Sequence, residues 1–262
     1  MARILQLIWA FFSNSLSRDM EFKANFISML FVDAIFYGSH LLFSKIIFGY
    51  VDALREFTQA DVIVFLVVTF LMDTVFMFAM AGNLGKMNGM IVKGDLDFVL
   101  LKPVNSQFLV SLRYFNSYAV VSLGILLILL FFAVDHSGRV VDLMSIAIFL
   151  VSFTLGVLIF YAIDFMIACM AFWFRSFSMA GWLSHEVMKF SMRPDTIYTG
   201  WLRKSLFSII PMALISSVPT RMLIYGPNWY YLGGQFLVAT LFLTAARITW
   251  LRGLQRYESA SS

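Results

Sequence analysis

Charged residues are scarce in this chain, and cysteine and proline are rarer still. Asp, Glu, Lys and Arg make up 13% of the 262 residues, whereas soluble domains carry roughly 25%. The one cysteine, Cys169, allows no intramolecular disulfide and no Cys/His metal cluster. Of the whole chain, 61% of the residues are hydrophobic and 17% are aromatic. The composition therefore excludes an ordinary soluble domain, and a net charge of +4 does not indicate a nucleic-acid-binding protein.

Motifs for nucleotide binding and hydrolysis are also missing from the sequence. The nearest approach to a P-loop, Gly89 to Gly94 followed by Asp95, lacks the lysine that would reach the phosphates. Neither G-x-S-x-G nor H-E-x-x-H occurs, and the three histidines are far apart along the chain. We therefore expect no enzyme activity and no cofactor or metal in this chain.

Six apolar stretches are long enough to cross a bilayer as helices, which takes about 20 residues each. Lipid favours helices because they satisfy the backbone hydrogen bonds within the segment. The fourth stretch is long enough to tilt, to bend near Gly156 or to project beyond the bilayer. We predict an all-α, polytopic membrane protein with one transmembrane domain over residues 1–262. Its predicted spans are 24–48, 62–80, 108–134, 143–174, 206–225 and 230–250.

The first twenty residues form an amphipathic pattern. Apolar side chains recur at helical spacing, while Arg3, Gln6 and Arg18 lie on the rest of the surface. This predicts an interfacial helix over 1–20 that lies along the membrane. A signal peptide is the alternative, but Gln6 interrupts the apolar stretch and no clean small-residue cleavage site follows. The apolar face consists of Leu5, Ile8, Trp9, Phe12 and Leu16.

The positive charges predict the orientation. With the N-terminus inside, fifteen of the 19 Lys and Arg residues lie in or next to the N-terminal segment, the 82–105 connector, the 175–204 segment and the tail. Loops that face the cytoplasm carry an excess of these residues. Both termini, the connector and the 175–204 segment are therefore expected in the cytoplasm.

The connector contains a short capped helix within residues 86–103, KMNGMIVKGDLDFVLLKP. Asp95 can cap its N-terminus, Asp97 adds negative charge to its first turn, and Pro103 prevents its continuation. Such a helix is either a docking element for a soluble partner or a connector that rests on lipid headgroups. Its apolar face consists of Phe98, Leu100 and Leu101.

Three carboxylates, Asp33, Asp73 and Asp164, lie inside predicted spans, where an ionisable group normally faces the protein interior and has a partner or a task. Asp33 and His40 share one helical face with Tyr37 and Ser44. Two interpretations stay open. Either Arg113 neutralises Asp73 or Asp164 and the pair holds helices together, or these groups form the polar lining of a translocation route.

Residues 94–103, GDLDFVLLKP, resemble the cytoplasmic motif G-x-L-D-x-x-L-L-[RK]-P of one branch of the ABC-2-type permeases, the membrane subunits of ATP-binding-cassette exporters. Residues 193–198, RPDTIY, and 210–219, IPMALISSVP, are similar to the second motif of that branch. Lys102 stands where arginine is common, which keeps the charge but loses a bidentate fork. The candidate coupling residues are Gly94, Asp95, Leu96, Asp97, Phe98, Leu100, Leu101, Lys102 and Pro103.

The resemblance implies a permease subunit in the bacterial cytoplasmic membrane. It implies that the connector is a coupling helix inserted into a separate ATPase, which binds the ATP and Mg. Two ATPase subunits and two permease subunits, identical or related, would form the complex. A fifth span broken into a re-entrant pair is also implied, consistent with Pro211 and Pro219. Substrates across the family include drugs, lipids and glycans.

Two other functions remain possible at this point. A secondary transporter would use an ion gradient and the intramembrane aspartates, but it usually contains an inverted repeat, which we do not find. A membrane scaffold would need no buried carboxylates.

Overall fold

The computed structural model describes residues 2–174 and 179–257, nearly all of them helical. Residues 1, 175–178 and 258–262, which belong to the predicted N-terminal helix, the predicted 175–204 segment and the tail, lie outside the described residues. The fold is that of an all-α polytopic membrane protein, as predicted. Its helices are α1 (Ala2–Glu21), α2 (Lys23–Ile47), α3 (Gln59–Phe76), α4 (Gly82–Lys93), α5 (Leu96–Leu100), α6 (Ser106–Leu112), α7 (Tyr118–His136), α8 (Leu143–Cys169), α9 (Ala180–Ser191), α10 (Gly200–Ser208), α11 (Met212–Ile215), α12 (Ser217–Ile224) and α13 (Trp229–Arg256).

The bundle has two ends. A small hairpin of β1 (Ala53–Leu54) and β2 (Phe57–Thr58) joins α2 to α3 at one end, which we call the hairpin face. The opposite end carries α5, and we call it the connector face. Among the described residues, five helices are long and apolar enough to cross a membrane, and a bent pair would make a sixth span.

Helices α3 and α8 form the centre of the bundle and run in the same direction, from the hairpin face to the connector face. Phe76 of α3 lies against Phe160 of α8, with 4.0 Å between ring centroids. One turn closer to the hairpin face, Met72 contacts Gly156, where an added Cβ would also lie 2.6 Å from the carbonyl oxygen of Ile215. Glycine therefore allows α8 to approach α3 and α11 closely, and α8 continues as one helix through this position.

The second crossing is longer than the predicted 62–80. Helix α3, a π-helical turn over Met77–Ala81 and α4 form one helix of 35 residues. At 1.5 Å per residue it is about 50 Å long, whereas the hydrocarbon core is about 30 Å thick. The predicted 82–105 connector is therefore wrong in its first half, because residues 82–93 continue the helix of the span.

The third crossing starts later than predicted. The interpretation of 108–134 as one span is wrong, because α6 is a separate short helix and the crossing helix is α7. Residues 113–117 between them are irregular. The apolar residues of α6 continue the hydrophobic stretch across this break, which is why hydropathy merged the two helices.

The first, fourth and sixth predicted spans correspond to α2, α8 and α13, although α13 extends six residues beyond the predicted end, to Arg256. The predicted N-terminal helix is present as α1. Leu5 and Trp9 are exposed on it, while Ser15 is buried against the segment before α7. Helix α1 thus has the two-sided character that an interfacial helix requires.

The fifth predicted span is broken, as expected, but only one of the two prolines breaks it. α10 and the pair α11–α12 meet at an angle of 58° around Pro211. Pro219 lies in the first turn of α12, where a backbone N–H would have no intrahelical partner anyway. The break is therefore located at residues 209–211.

The described part of the 175–204 segment does not stay at the connector face, so its predicted position is wrong. Lys189 and Arg193 line a cavity together with Ile47, at the hairpin end of α2. Arg203 lies in a second cavity beside Glu56 of the hairpin. Helix α9 therefore runs back through the bundle, and α10 lies at the hairpin face.

This arrangement predicts which loops share a side of the membrane. In a Cys169→Ala background, Asp52→Cys and Lys204→Cys should react with an impermeant maleimide from the same side, because both residues are exposed at the hairpin face. Lys93→Cys should react only from the other side. Intact cells and inverted vesicles provide the two directions. Labelling of positions 204 and 93 from one side would contradict the course of α9 and α10.

Candidate functional site

The coupling segment begins at a sharp turn after α4. Gly94 adopts a left-handed conformation with φ of +81°, which glycine tolerates because it has no Cβ. Asp97 N donates to Gly94 O at 3.1 Å and starts α5. Asp95 occupies the N-cap position, but its side chain makes no capping hydrogen bond, so the predicted cap is wrong. Asp97 lies in the first turn, as predicted.

Helix α5 has one anchored face and one free face. Leu96 and Val99 are buried in the main core. Phe98 is 66% exposed and Leu101 is 81% exposed, while Leu100 is 39% exposed. The apolar residues predicted for docking are therefore open at the connector face. The helix ends at Leu100, and the chain turns through the exposed Lys102 and Pro103 into α6.

The irregular segment before α7 is held by side chains and by the π-helical turn. Asn83 Oδ1 accepts from Tyr114 N at 2.8 Å, and Asn83 Nδ2 donates to Tyr114 O at 2.7 Å. Asn116 donates through Nδ2 to Met77 O at 2.6 Å and through its backbone N to Phe78 O at 2.9 Å. The π-helical turn leaves these carbonyl oxygens available to outside partners. Arg113 lies in this segment and not within a span.

Two of the predicted carboxylates face one cavity. Asp73 of α3 and Asp164 of α8 line a space of about 170 Å³ together with Ser184 and His185 of α9. Apolar residues of α4 and α8 complete the lining. Within the described ranges, neither carboxylate forms an ion pair or a hydrogen bond with a side chain. The cavity is thus acidic and located between the two central helices and α9.

Arg113 does not neutralise this cavity. It lines a different space, at the connector face, with Arg18 and Tyr114, and it forms no ion pair with Asp73 or Asp164 in the part of the chain that the structure describes. The predicted buried ion pair is therefore wrong. The reason is the break at residues 113–117, which the continuous third span had concealed.

The other polar groups of α2 are used in packing or line a neighbouring space. Ser122 Oγ donates to Asp33 Oδ2 at 2.7 Å, linking α2 to α7. His40 Nδ1 lies 3.0 Å from Phe36 O in its own helix. His40 lines a second cavity, of about 290 Å³, and His185 lines both cavities. The structure thus groups Asp73 with Asp164, and places Asp33 and His40 elsewhere.

A network of ion pairs at the hairpin face was missed from the sequence. Asp195 is 1% exposed and accepts from Arg203 at 2.8 Å and from Arg221 at 3.1 Å. Arg221 also donates to Glu56 at 2.6 Å. Asp195 is part of the motif RPDTIY, but the resemblance of this motif to a family pattern did not indicate that Asp195 forms ion pairs. The network ties α10 and α12 to the hairpin.

A second group at the same face links α3 to the loop after α7. Arg139 donates to Asp61 at 3.1 and 2.8 Å through two nitrogens, and this hydrogen bonding raises the pKa of the guanidinium. Tyr225 donates to the same carboxylate at 3.2 Å. Burial, and then the negative charge of Asp61, raise the pKa of Tyr225 to about 12. These groups close the hairpin end of the bundle.

Comparison with known families agrees with this architecture. A model of the ABC-2 family transporter protein matches residues 34–261. The match covers most of the chain, which therefore belongs to the ABC-2 transporter family. Among curated proteins and among solved structures, no significant match was found.

Membership defines the class of activity. Membrane proteins of this family are transport subunits without a nucleotide-binding domain of their own, and they work with ABC ATPase partners. The chain is a multi-pass permease component of an ABC transporter. The family assignment replaces the two alternatives of an ion-driven secondary transporter and a scaffold.

Substitution of the unpaired aspartates in the acidic cavity should affect stability differently from substitution of Arg221 in the ion-pair network. Asp73→Asn and Asp164→Asn each remove a carboxylate with no ionic partner among the described residues, so the melting temperature should stay unchanged or rise. Arg221→Gln leaves Glu56 without its ion pair and Asp195 with one partner fewer, and should cost about 3 kcal/mol. Unfolding in detergent can be followed by dye labelling of the buried Cys169. Equal losses in all three variants would contradict the unpaired state of the aspartates.

Proposed function

We propose that this permease is the membrane subunit of a bacterial exporter, driven by a separate ATPase that docks on α5. Both termini and the connector face would lie in the cytoplasm. After the correction of the 175–204 segment, the described Lys and Arg residues still favour this side, by a smaller margin than in the sequence. The partner would bind the ATP and Mg.

The exposure of α5 is the observation that carries this proposal. Leu96 and Val99 fix the helix to the core, so Phe98 and Leu101 are presented without the entropic cost of ordering a free loop. Each large apolar side chain contributes about 1.5–3 kcal/mol when fully buried. Lys102 at the rim would help orientation more than affinity.

The long helix α3–α4 could transmit a movement of the ATPase from α5 to the acidic cavity. Asp73 lies midway along it, and α5 follows directly after its end at Gly94. A displacement of α5 by the ATPase would therefore act on a helix that also lines the acidic cavity. We assign the cavity of Asp73 and Asp164 to the translocation pathway.

The proposed complex contains two ATPase subunits and a second permease, identical or related. Exposed apolar side chains on α2, such as Phe31 and Ile35, are available for lipid or for that second subunit. Since α9 runs back to the hairpin face and α10–α12 begin and end there, the chain through α9 would be the fifth crossing and α13 the sixth, which allows both termini to lie on one side.

Replacing Leu100 and Leu101 by aspartate should detach the ATPase. The variant Leu100→Asp/Leu101→Asp puts charge where apolar contact is proposed, and we expect at least a tenfold loss of the P-loop ATPase that co-purifies in mild detergent. Quantitative mass spectrometry of the affinity-purified permease measures the loss.

The matched control is Leu100→Met/Leu101→Met, which preserves apolar volume and should retain the ATPase. Both variants should elute as wild type in size-exclusion chromatography of the permease alone, because the side chains are outside the core. Full ATPase recovery with the aspartate variant would contradict docking on α5.

A further inference from the structure

Three basic residues lie over one aromatic ring at the connector face, and a fourth lines the cavity beside it. Lys86 Nζ lies 3.9 Å from the centre of the Tyr114 ring, and the guanidinium carbons of Arg113 and Arg18 lie 5.3 and 6.0 Å from it. Lys102 lines the same space as both arginines. Tyr114 thus gathers cations from α1, from α4 and from the segment before α7.

These cations are poorly neutralised within the protein. Arg18 pairs with Asp19 at 2.9 Å. The second oxygen of that carboxylate accepts from Ser117 N at 3.0 Å and Ser117 Oγ at 2.7 Å. Burial would raise the pKa of Asp19, but the hydrogen bonds from Ser117 and Arg18 lower it overall, so one negative charge is present. For Lys86, Lys102 and Arg113, no carboxylate oxygen lies within 4.0 Å among the described residues.

The charges surround a formed cavity rather than a flat surface. The space measures about 290 Å³ and is open to solvent on one side. Its walls are positioned by hydrogen bonds, because Asn83 holds the backbone of Tyr114 and Ser15 Oγ accepts from Phe115 N at 3.0 Å. The lining residues are Phe11, Asn14, Ser15, Arg18, Lys102, Arg113 and Tyr114.

The depth of the cavity matches the headgroup layer of a bilayer. The apolar part of α3 begins at Val62, and Lys86 follows about 24 residues later, or about 36 Å along the helix. Since the hydrocarbon core is about 30 Å thick, Lys86 lies just beyond its edge. Helix α1, which supplies one wall, exposes Leu5 and Trp9, as a helix embedded at the same interface does.

We propose that this cavity binds the phosphate group of an anionic phospholipid from the leaflet at the connector face. The Arg113 guanidinium can form bidentate hydrogen bonds with phosphate oxygens. Arg18 donates to Asp19 and Phe115 O through Nε and Nη2, which leaves its Nη1 for the phosphate, and Lys102 adds a point charge. A zwitterionic choline lipid would bring its own cation into a cavity that Arg18, Lys102 and Arg113 already line. Occupation by an anionic lipid relieves repulsion among the cations and joins α1 to the segment that leads into α7. The site is separate from the acidic cavity, and it shares only Lys102 with the proposed docking surface of the ATPase.

The test compares binding of short-chain phosphatidylglycerol and short-chain phosphatidylcholine to the purified permease in a non-ionic detergent, by native mass spectrometry. Wild type should prefer phosphatidylglycerol. Each cation removed should weaken its binding about fivefold, so Arg113→Gln/Lys102→Gln should lose about 25-fold. Lys93→Gln removes an exposed cation from the same face, outside the cavity, and should change binding less than twofold.

Three results would overturn the proposal. These are equal binding of the two lipids, equal losses for the cavity variant and for Lys93→Gln, and inorganic phosphate binding as tightly as phosphatidylglycerol, which would identify a soluble phosphate compound instead. If Arg113→Gln/Lys102→Gln does not fold, Lys102→Gln alone replaces it, because Lys102 lines the cavity, is exposed, and makes no side-chain hydrogen bond in the described structure. Its expected loss is again about fivefold.

Discussion

Backbone groups that leave helical geometry near lipid need partners within the protein, and Asn83 supplies them for the break before α7. It accepts from the N–H and donates to the carbonyl of Tyr114. Asn116 adds two bonds to carbonyls of the π-helical turn. These hydrogen bonds hold residues 113–117 against the helix α3–α4. They also fix the position of α6, which precedes this break. Together with the burial of Leu96 and Val99, these bonds hold α5 in a fixed position.

The helix α3–α4 connects the acidic cavity to α5, the two features that the proposed function needs. It carries Asp73 in the acidic cavity and ends at the turn that starts α5. At the other end of the bundle, Asp195 and Arg221 hold the broken fifth span against the hairpin. The hairpin face is therefore tied by ion pairs, while the connector face presents an apolar helix and a basic cavity. Such asymmetry suits a transporter that receives energy from one side.

Hydropathy predicted the positions of α2, α8 and α13, because each is a long apolar stretch with polar ends. Hydropathy did not predict helix ends where the helical backbone is interrupted within a continuous hydrophobic stretch. Phe108 and the residues after it are apolar, so α6 was joined to α7 across residues 113–117. Likewise, α4 is amphipathic and polar enough to resemble a loop, although it continues the helix of α3.

Charge counting failed for a different reason. It placed the 175–204 segment on the same side as the connector because that segment is basic, but Arg203 is paired with Asp195 and its charge is compensated locally. Pairing between distant residues, such as Arg221 with Glu56, cannot be read from one sequence. The exposed face of α5 was predictable, since motif, spacing and proline all mark it. The cluster around Tyr114 was not, because its members come from separate elements.

The most direct test of ATPase docking on α5 is photo-crosslinking in native membranes. A photoreactive amino acid replaces Leu101 on the free face of α5, and in a second strain it replaces Phe131, which is exposed on α7 within the apolar span. On irradiation, position 101 should give an adduct whose mass and peptides identify a P-loop ATPase, and position 131 should give none. Absence of an ATPase adduct at position 101, in a membrane that contains the assembled transporter, would contradict the docking of the ATPase on α5.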